Sequence, residues 1–528
     1  MTDLQASYAT HFPPPGHAFR MNTCRLATTL ALLVAGCAQA GDQLPSPNSQ
    51  PLENAGWSVA ISGDRLIVGV ARNDSLESNG GSARVYVRDG DEWLLEATLT
   101  PSVPRHNAHF GWSVDIEGDR AIVGAFTDVT TQVITGAAYV FERSNSVWTE
   151  VARLSPTPLV QESGFGGTVS ISGDRAVVGA SLAPPPTFTG PGFAYSYRRE
   201  PSGWVQDTML TANDAVDFDE FGTSVSIDGD RMVIGAMRDD DLGNGSGSAY
   251  VLRREAAQWV EEAKLLPADG AAFDRFGIAV AISDSTIVVG ANNDDDDGES
   301  SGAAYVFESN AGGIWTETAK LVAFDATAEA EYGRAVGVDG ELAIAGAWLG
   351  YVADIRSGAA YVYRRSGGNW LLSVRLIPDE PEYGDGFGFA VDVSGDCAVV
   401  GAVNDDTPAG EDAGSASARC GFTIPDPGFE FDVICCVQVP DPAGPVIYTT
   451  RFTNRRAEPL VTRVWADLLR PDGTTARVVA PQALVIGPNE TLERRDVAAT
   501  GAGAGNYRLI VSAATPDGVR SRTTTFQR

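Results

Sequence analysis

The chain has 528 residues, of which 43% are hydrophobic and 20% charged, and its formal net charge is −31 at pH 7. Its only lysines are Lys264 and Lys320, so it lacks the basic face that nucleic-acid binding needs, and we expect no such partner. The length allows a large core in two or more domains, and 58 glycines are typical of a turn-rich all-β protein.

Residues 1–40 are interpreted as an upstream segment followed by a signal peptide. Met21 is the expected start, an apolar run follows, and Val34-Ala35-Gly36-Cys37 resembles a bacterial lipobox with Cys37 as the lipidated residue. Ordinary cleavage after Ala38-Gln39-Ala40 is the alternative. Because the apolar run is too short for a permanent spanning helix, we expect an exported protein, either secreted or held at the cell envelope by a lipid anchor.

A unit of about 55 residues recurs seven times between residues 44 and 421. Each copy carries an aromatic-Gly step, with Ala55-Gly56 as a degenerate first member, and the step glycines are separated by 55, 55, 56, 55, 56 and 55 residues. The other steps are Phe110-Gly111, Phe165-Gly166, Phe221-Gly222, Phe276-Gly277, Tyr332-Gly333 and Phe387-Gly388. A period of this size with several short strands per unit predicts a β-propeller.

The unit from Phe221 to Leu265 predicts four strands in one up-and-down sheet. The second strand (RMVIGA) is nearly all apolar, which favours burial on both faces, and it follows a tight turn at Asp228-Gly229-Asp230. The fourth strand opens with Trp259 and ends at Leu265. Since alternate residues of a strand share a face, Trp259, Ala263 and Leu265 are expected to point the same way and to pack between blades.

The sequences FGTSVSIDGDRMVIGA and FGIAVAISDSTIVVGA resemble the FG-GAP repeat, the blade unit of integrin α-subunit propellers and of many bacterial surface proteins. The resemblance covers roughly residues 44 to 420. It implies a seven-bladed propeller used for extracellular binding or adhesion, without a particular ligand. The calcium loop that such blades place between their first two strands is not carried over, because Ser62-Gly63-Asp64 and its counterparts are too short to wrap the ion.

The seventh unit lacks the Trp-x5-Leu strand, so the ring needs an outer strand from elsewhere. Leu44 lies twelve residues before Gly56, the same offset that separates Leu99, Leu154 and their equivalents from the next step glycine. We therefore predict that the segment ending at Leu44 closes blade seven. The rival is the run from Phe429 to Val437.

The loops after the second strands of units four, five and seven are acidic and predict a calcium site. The candidate ligands are Asp239, Asp240, Asp241, Asp294, Asp295, Asp296, Asp297, Asp405 and Asp406. Solvated loops that serve only solubility are the alternative. In units three and six, the exposed side chains of Phe188, Trp348 and Tyr351 could form a contact patch.

Residues 422–445 are interpreted as a linker, and six alternating runs within 446–528 predict a small immunoglobulin-like β-sandwich. The predicted fold class is thus all-β: a seven-bladed β-propeller of four-stranded blades followed by this sandwich. In an oxidising compartment a disulfide from Cys420 to Cys435 or Cys436 is plausible, although the sequence does not fix the pairing.

No catalytic constellation is found: the sequence has neither a G-x-S-x-G elbow nor an H-E-x-x-H motif. The leading hypothesis is a non-enzymatic, monomeric protein of the envelope or extracellular space that binds a protein or glycan ligand at its acidic end, with calcium as the expected cofactor. The alternatives are a calcium-dependent hydrolase or lyase acting on polysaccharide, and a structural spacer.

Overall fold

A computed structural model describes residues 38–40, 42–46 and 50–421, apart from residues 91, 131–132, 160–162, 183–189, 311, 353, 367 and 409, and the strand backbone within 429–527. In this part of the chain every regular element is a strand. No helix of the described residues has the length and apolarity needed to cross a bilayer. The lipobox residue Cys37 and Phe188 lie outside the described residues.

Seven antiparallel sheets of four strands follow one another along the chain, with the first strand innermost and the fourth outermost. These are the blades of the predicted propeller, so the predicted fold is confirmed. Two short strands come before them, β1 (Ala38–Ala40) and β2 (Asp42–Gln43).

Blades one to four contain these strands: β3 (Ala55–Ser62), β4 (Arg65–Val70), β5 (Ser82–Asp89) and β6 (Glu92–Leu99); β7 (Ser113–Glu117), β8 (Arg120–Ala125), the loop strands β9 (Val129–Thr130) and β10 (Val133–Ile134), β11 (Ala137–Ser144) and β12 (Val147–Leu154); β13 (Thr168–Ser172), β14 (Arg175–Ala180), β15 (Phe193–Glu200) and β16 (Gly203–Leu210); β17 (Phe221–Asp228), β18 (Arg231–Ala236), β19 (Ser248–Glu255) and β20 (Gln258–Leu265).

Blades five to seven contain these strands: β21 (Ala279–Ser283), β22 (Thr286–Ala291), β23 (Ala303–Ser309) and β24 (Trp315–Leu321); β25 (Tyr332–Asp339), β26 (Leu342–Ala347), the loop strands β27 (Tyr351–Val352) and β28 (Ile355–Arg356), β29 (Ala359–Ser366) and β30 (Asn369–Ile377); β31 (Phe387–Ser394), β32 (Cys397–Ala402) and β33 (Ser415–Cys420).

Blade seven takes its fourth strand from the N-terminal side of the chain. β2 runs antiparallel to β33, with Gln43 opposite Ser417, and Leu44 N donates to Ala416 O at 2.8 Å. Leu44 is 4% exposed in the apolar core shared with blade one. The closure predicted from the spacing of Leu44 is therefore confirmed. The short strand β1 pairs in parallel with β30 of blade six.

The repeat glycines are required by close backbone approach. Gly111 has φ +91°, and a Cβ there would lie 2.2 Å from Ser82 O in the preceding blade. Gly124, at the end of a second strand, would place a Cβ 2.1 Å from Gly166 O in the following blade. Both separations are far below van der Waals contact, so only glycine fits. The 55-residue spacing of these glycines therefore marks the points where the backbones of neighbouring blades contact each other.

A β-bulge in the fourth strand corrects one sequence-based expectation. Val251 pairs with Ala263 but Leu252 pairs with Glu261, so one extra residue is accommodated and the alternation changes phase. Trp259 consequently packs toward blade three, in the core of Tyr250 and Leu252. Ala263 and Leu265 pack toward blade five. The tryptophans are interface residues, as predicted, but Trp259 and Leu265 face opposite neighbours.

The turns that join first and second strands form a closed ring of hydrogen bonds around the axis. A turn N–H in each blade donates to the side chain that ends the first strand of the preceding blade. The seven pairs are Gly63 on Ser394, Gly118 on Ser62, Gly173 on Glu117, Gly229 on Ser172, Asp284 on Asp228, Gly340 on Ser283 and Gly395 on Asp339. Because Gly63 donates to Ser394, the ring also closes between blades seven and one.

Two half-buried aspartates cap inner-strand N–H groups in the middle of the blades. Asp392 accepts from Val393 N on its own strand and from Ile61 N of blade one, both at 2.8 Å. Asp115 accepts in the same way from Ile116 N and Ile171 N. An inner strand has a free edge toward the axis, so such caps satisfy donors that lack a strand partner.

Cys420 is bonded to Cys397, directly opposite on β32, and not to Cys435 or Cys436. The expected bridge to the C-terminal region is therefore wrong. The two cysteines are far apart in sequence but become neighbours once β32 and β33 pair.

The C-terminal region contains two antiparallel sheets. One has the order β34 (Phe429–Gln438), β35 (Val446–Asn454) and β38 (Thr491–Ala498), and the other β37 (Thr475–Ile486), β36 (Leu460–Leu469), β39 (Asn506–Thr515) and β40 (Gly518–Gln527). This three-plus-four arrangement is that of an immunoglobulin-like sandwich. β34 lies inside the segment predicted as a linker, and it pairs with β35 instead of closing blade seven.

Candidate functional site

The strand directions place the loops after the second strands and the loops between blades at one end of the propeller, here called the acidic end. The nine predicted ligands all lie in these loops. Asp239 and Asp294 are 4% and 3% exposed, and Asp405 is half-buried. The other six are exposed: Asp240, Asp241, Asp295, Asp296, Asp297 and Asp406.

In blade four the carboxylates surround Lys264. Its Nζ lies 2.7 Å from Asp214, 2.9 Å from Asp239 and 2.6 Å from Asp241. Tyr250 OH donates to Asp239 at 2.8 Å, and the ammonium lies 5.1 Å from the centre of the tyrosine ring. Burial opposes the charge on Lys264, but its hydrogen bonds outweigh this effect and raise its pKa.

Blade five repeats the arrangement with the only other lysine of the chain. Lys320 Nζ lies 2.9 Å from Asp269, 2.9 Å from Asp294 and 2.6 Å from Asp296, while Tyr305 OH donates to Asp294 at 2.6 Å. In both blades the lysine ammonium thus lies among the carboxylates that were predicted to hold a metal ion.

The β-bulge explains how the lysine reaches this position. Tyr250 is the register partner of Lys264, and both lie on the Trp259 side of the sheet because the extra residue at the bulge changes the phase. Strict alternation from Trp259 would have placed Lys264 on the opposite face. The bulge recurs in blades one to six, so the same position is available in each of them.

Blades two and six use arginine at the same position. Arg153 Nη2 lies 3.2 Å from Asp128, which also accepts a hydrogen bond from Tyr139 OH. Arg375 Nη1 lies 3.1 Å from Asp325. Blade one reverses the arrangement: Arg84 replaces the tyrosine and pairs with Glu53 at 2.6 Å, where both side chains are buried.

Blade seven has no such cation. Gln43 of β2 occupies the register position of Lys264, and its Nε2 donates to Asp405 at 3.0 Å. Among the described side chains, no lysine or arginine forms an ion pair with Asp405 or Asp406. The tyrosine is replaced by Ser417.

Burial makes several carboxyl groups of blade seven harder to ionise than free aspartate, as it does for Asp219 and Asp274 in blades four and five. Burial, together with the charges of Asp405, Glu382 and Asp406, raises the pKa of Asp385 to about 7. Burial also raises the pKa of Asp405 and of Asp412, each with a contribution from the charge of Asp406. The loop therefore concentrates acidic groups, and the charge of Arg72 acts on Asp412, whereas Asp405 and Asp406 form no ion pair among the described side chains.

Within the described residues, only Asp396, Cys397 and Cys420 bring three potential metal-ligand atoms within 4.8 Å of one another. This group offers no free thiol, since its cysteines form the disulfide. Among the described residues, the nine predicted carboxylate ligands do not bring three of their oxygen atoms within 4.8 Å of one another.

A row of six partly exposed aromatic side chains lies at the acidic end of the inner strands. We call it the aromatic row, and its members in order are Trp348, Phe389, Trp57, Trp112, Phe126 and His109. Neighbouring ring centres are 4.2–5.6 Å apart. Arg334 places its guanidinium 4.8 Å from the centre of Phe389.

Sequence reasoning identified Trp348 as a contact candidate but missed Trp57, Trp112 and Phe389. These three directly follow the step glycine, where the other units have Gly167, Thr223, Ile278 and Arg334. Aromatic residues therefore occupy this repeat position in three units and other residues occupy it in four. This difference was the sequence signal for the aromatic row. The row spans blades six, seven, one and two.

The FG-GAP repeat model matches residues 93–141, 148–195, 204–252, 259–307, 315–363 and 370–418. Together these six stretches cover more than half of the chain. The chain belongs to the FG-GAP repeat family. Each matched stretch begins at the tryptophan of one outer strand and ends in the third strand of the next blade, so the sequence unit of the family is offset from the structural blade.

No curated protein sequence matches the chain. Among solved structures, an acylaminoacyl peptidase from Pyrococcus horikoshii is similar over 77% of this chain and 60% of its own, with 9% identity and a TM-score of 0.39. The putative ApaA protein from Bordetella pertussis aligns over 19% of this chain and 90% of its own, with 18% identity and a TM-score of 0.15.

Proposed function

We propose that the protein is an exported, non-enzymatic binding protein of the cell envelope or extracellular space, which adheres to a protein or glycan ligand through the acidic end of its propeller. The observation that carries this proposal is the aromatic row, because partly exposed aromatic side chains in a continuous surface are typical of contact sites. Extracellular use is typical of FG-GAP repeats, which supports export.

Calcium is proposed as a component of this site in blade seven. In blades four and five a lysine ammonium already neutralises the equivalent aspartates. In blade seven the equivalent side chain, Gln43, is neutral, so the charge of Asp405 is left for a bound cation, with the exposed carboxylate of Asp406 beside it. Carboxylate and amide oxygens are the ligands that calcium prefers, and binding would draw them together.

Calorimetric titration with calcium tests the cation. We expect one site in the native sequence, and its loss in Asp405→Asn/Asp406→Asn. Gln43→Lys should abolish it as well, by supplying the ammonium that blades four and five contain. The matched control, Asp295→Asn/Asp297→Asn, changes exposed carboxylates of blade five and should bind as the native chain does. Equal heats in all four proteins would rule out the blade-seven site.

Retention on immobilised glycans and on purified envelope proteins tests the contact surface. The expected result is retention by the native chain and its loss in Trp57→Ala/Trp112→Ala, with the far-ultraviolet circular dichroism of the two proteins unchanged. If the native chain and this variant are retained equally, the aromatic row is not the binding surface. Turnover of a polysaccharide by the native chain would contradict the non-enzymatic assignment.

A further inference from the structure

The two domains carry opposite formal charge. Residues 44–421 contain 56 acidic and 24 basic residues, a formal charge of −32. Residues 429–528, which include the first strand of the sandwich, contain 12 arginines, no lysine and ten acidic residues, a formal charge of +2. An arginine-rich module of net positive charge attached to a strongly acidic one is expected to be attracted to an acidic surface, either its own or that of another copy.

The strand directions place the attachment point far from the acidic end. β33 is antiparallel to β32 and runs away from the acidic end, so the chain leaves the propeller at the opposite end, where the turns of the hydrogen-bonded ring lie. Eight residues separate Cys420 from Phe429. Fully extended, they span about 28 Å, roughly the length of one eight-residue strand. The tether thus favours docking on a second copy over docking on the same propeller.

The acidic end also presents the side chains that arginine prefers. Guanidinium groups pair with carboxylates and stack on aromatic rings. Arg334 already stacks on Phe389 within the aromatic row, and exposed carboxylates such as Asp240, Asp295 and Asp406 lie in loops at the same end. The surface therefore matches an arginine-rich partner in both charge and chemistry.

From these observations we infer that the arginine-rich C-terminal domain of one copy docks on the acidic end of the propeller of a second copy. This inference rests on the proposed function of the acidic end and names its partner as the chain itself. Because the two contacting surfaces differ, the contact is head-to-tail and can extend beyond a dimer. It replaces the monomer expected from sequence.

Sedimentation velocity of the full chain tests the inference. At about 25 mM salt we expect a concentration-dependent series of dimer and larger species, which dissociates at about 300 mM salt because screening weakens charge pairing. A tail variant, Arg463→Gln/Arg508→Gln, changes two positions that the register places on one face of the four-stranded sheet, opposite to the face of Val511 and Ala513. A head variant, Asp240→Asn/Asp295→Asn/Asp406→Asn, changes only exposed or half-buried loop carboxylates. We expect each to weaken self-association about tenfold or more.

Mixing the two variants supplies the decisive result. The tail variant keeps an intact acidic end, and the head variant keeps an intact C-terminal domain. An equimolar mixture should therefore form a dimer and nothing larger. A native chain that is monomeric at about 100 µM in low salt, or a mixture that stays monomeric while the native chain associates, would overturn the head-to-tail contact. A monomeric native chain that still binds calcium or glycan would refute this inference alone, whereas absence of every ligand would refute the proposed function.

Discussion

The half-buried Asp392 of blade seven should make propeller stability depend on pH. Burial, reinforced by the charge of Asp115, raises the pKa of Asp392 to about 8 from its ordinary value of 3.8. The folded state therefore binds a proton that the unfolded state has released. Stability from this group is fully present below about pH 4 and is lost as the pH rises towards 8.

The size of the effect follows from the shift. Each pH unit between the two pKa values costs about 1.4 kcal/mol, so Asp392 alone lowers the free energy of unfolding by about 4 kcal/mol between pH 5 and pH 8. Asp392→Asn removes this dependence. It also turns an amide donor toward Ile61 N or Val393 N, which costs about 1–3 kcal/mol at every pH. The variant should be less stable than the native chain at pH 4 and more stable at pH 8.

Urea unfolding at a series of pH values, followed by tryptophan fluorescence, measures this crossing, since nine of the ten tryptophans lie in the propeller. Asp228→Asn is the matched control. Asp228 accepts a single inter-blade hydrogen bond, from Asp284 N at 2.6 Å in the exposed ring of turns. Its loss should lower stability without producing a crossing at high pH. If the curves for Asp392→Asn and the native chain stay parallel from pH 5 to 8, the Asp392 carboxyl does not titrate as argued.

Three further changes test the packing. Lys264→Met leaves three carboxylates without their cation and should cost about 3 kcal/mol in urea unfolding, whereas Lys264→Arg should recover most of this loss. Gly111→Ala should cost more than about 3 kcal/mol, because its φ is +91° and backbone blocks a Cβ, while Gly63→Ala, at φ +56° in open space, should cost about 1 kcal/mol. Cys397→Ser/Cys420→Ser opens a loop with a sequence separation of 23 and should cost about 3 kcal/mol, and a midpoint unchanged by reductant would contradict this.

The sequence predicts the architecture because the same packing constraint acts seven times. A glycine such as Gly111 is needed wherever one blade backbone crosses the next, so its spacing reports the blade directly. The offset of Leu44 from Gly56 likewise predicts the closing strand, since the outer strand must reach the same depth in every blade. Features that depend on repetition are therefore visible without a structure.

Features that depend on register are not visible in this way. Lys264 reaches Asp239 only because of the bulge between Trp259 and Lys264, and a bulge leaves no mark in an alternating pattern. The disulfide partners Cys397 and Cys420 also become neighbours only when two strands pair residue by residue. The acidic loops resemble free ligands in the sequence because the lysine that neutralises Asp239 or Asp294 comes from another strand.

The ring seam and the proposed ligand site are linked through one residue. The chain cannot take the outer strand of blade seven from its own repeat, so β2 supplies it, and β2 brings Gln43 to the position of Lys264. Closure of the propeller by a different segment thus leaves Asp405 with a neutral neighbour. A blade completed within its own repeat can retain the lysine and stay internally neutralised. The seam is consequently a place where a partly buried carboxylate of the acidic end has no cationic partner among the described residues, and a cation binding there would also stabilise the closed ring.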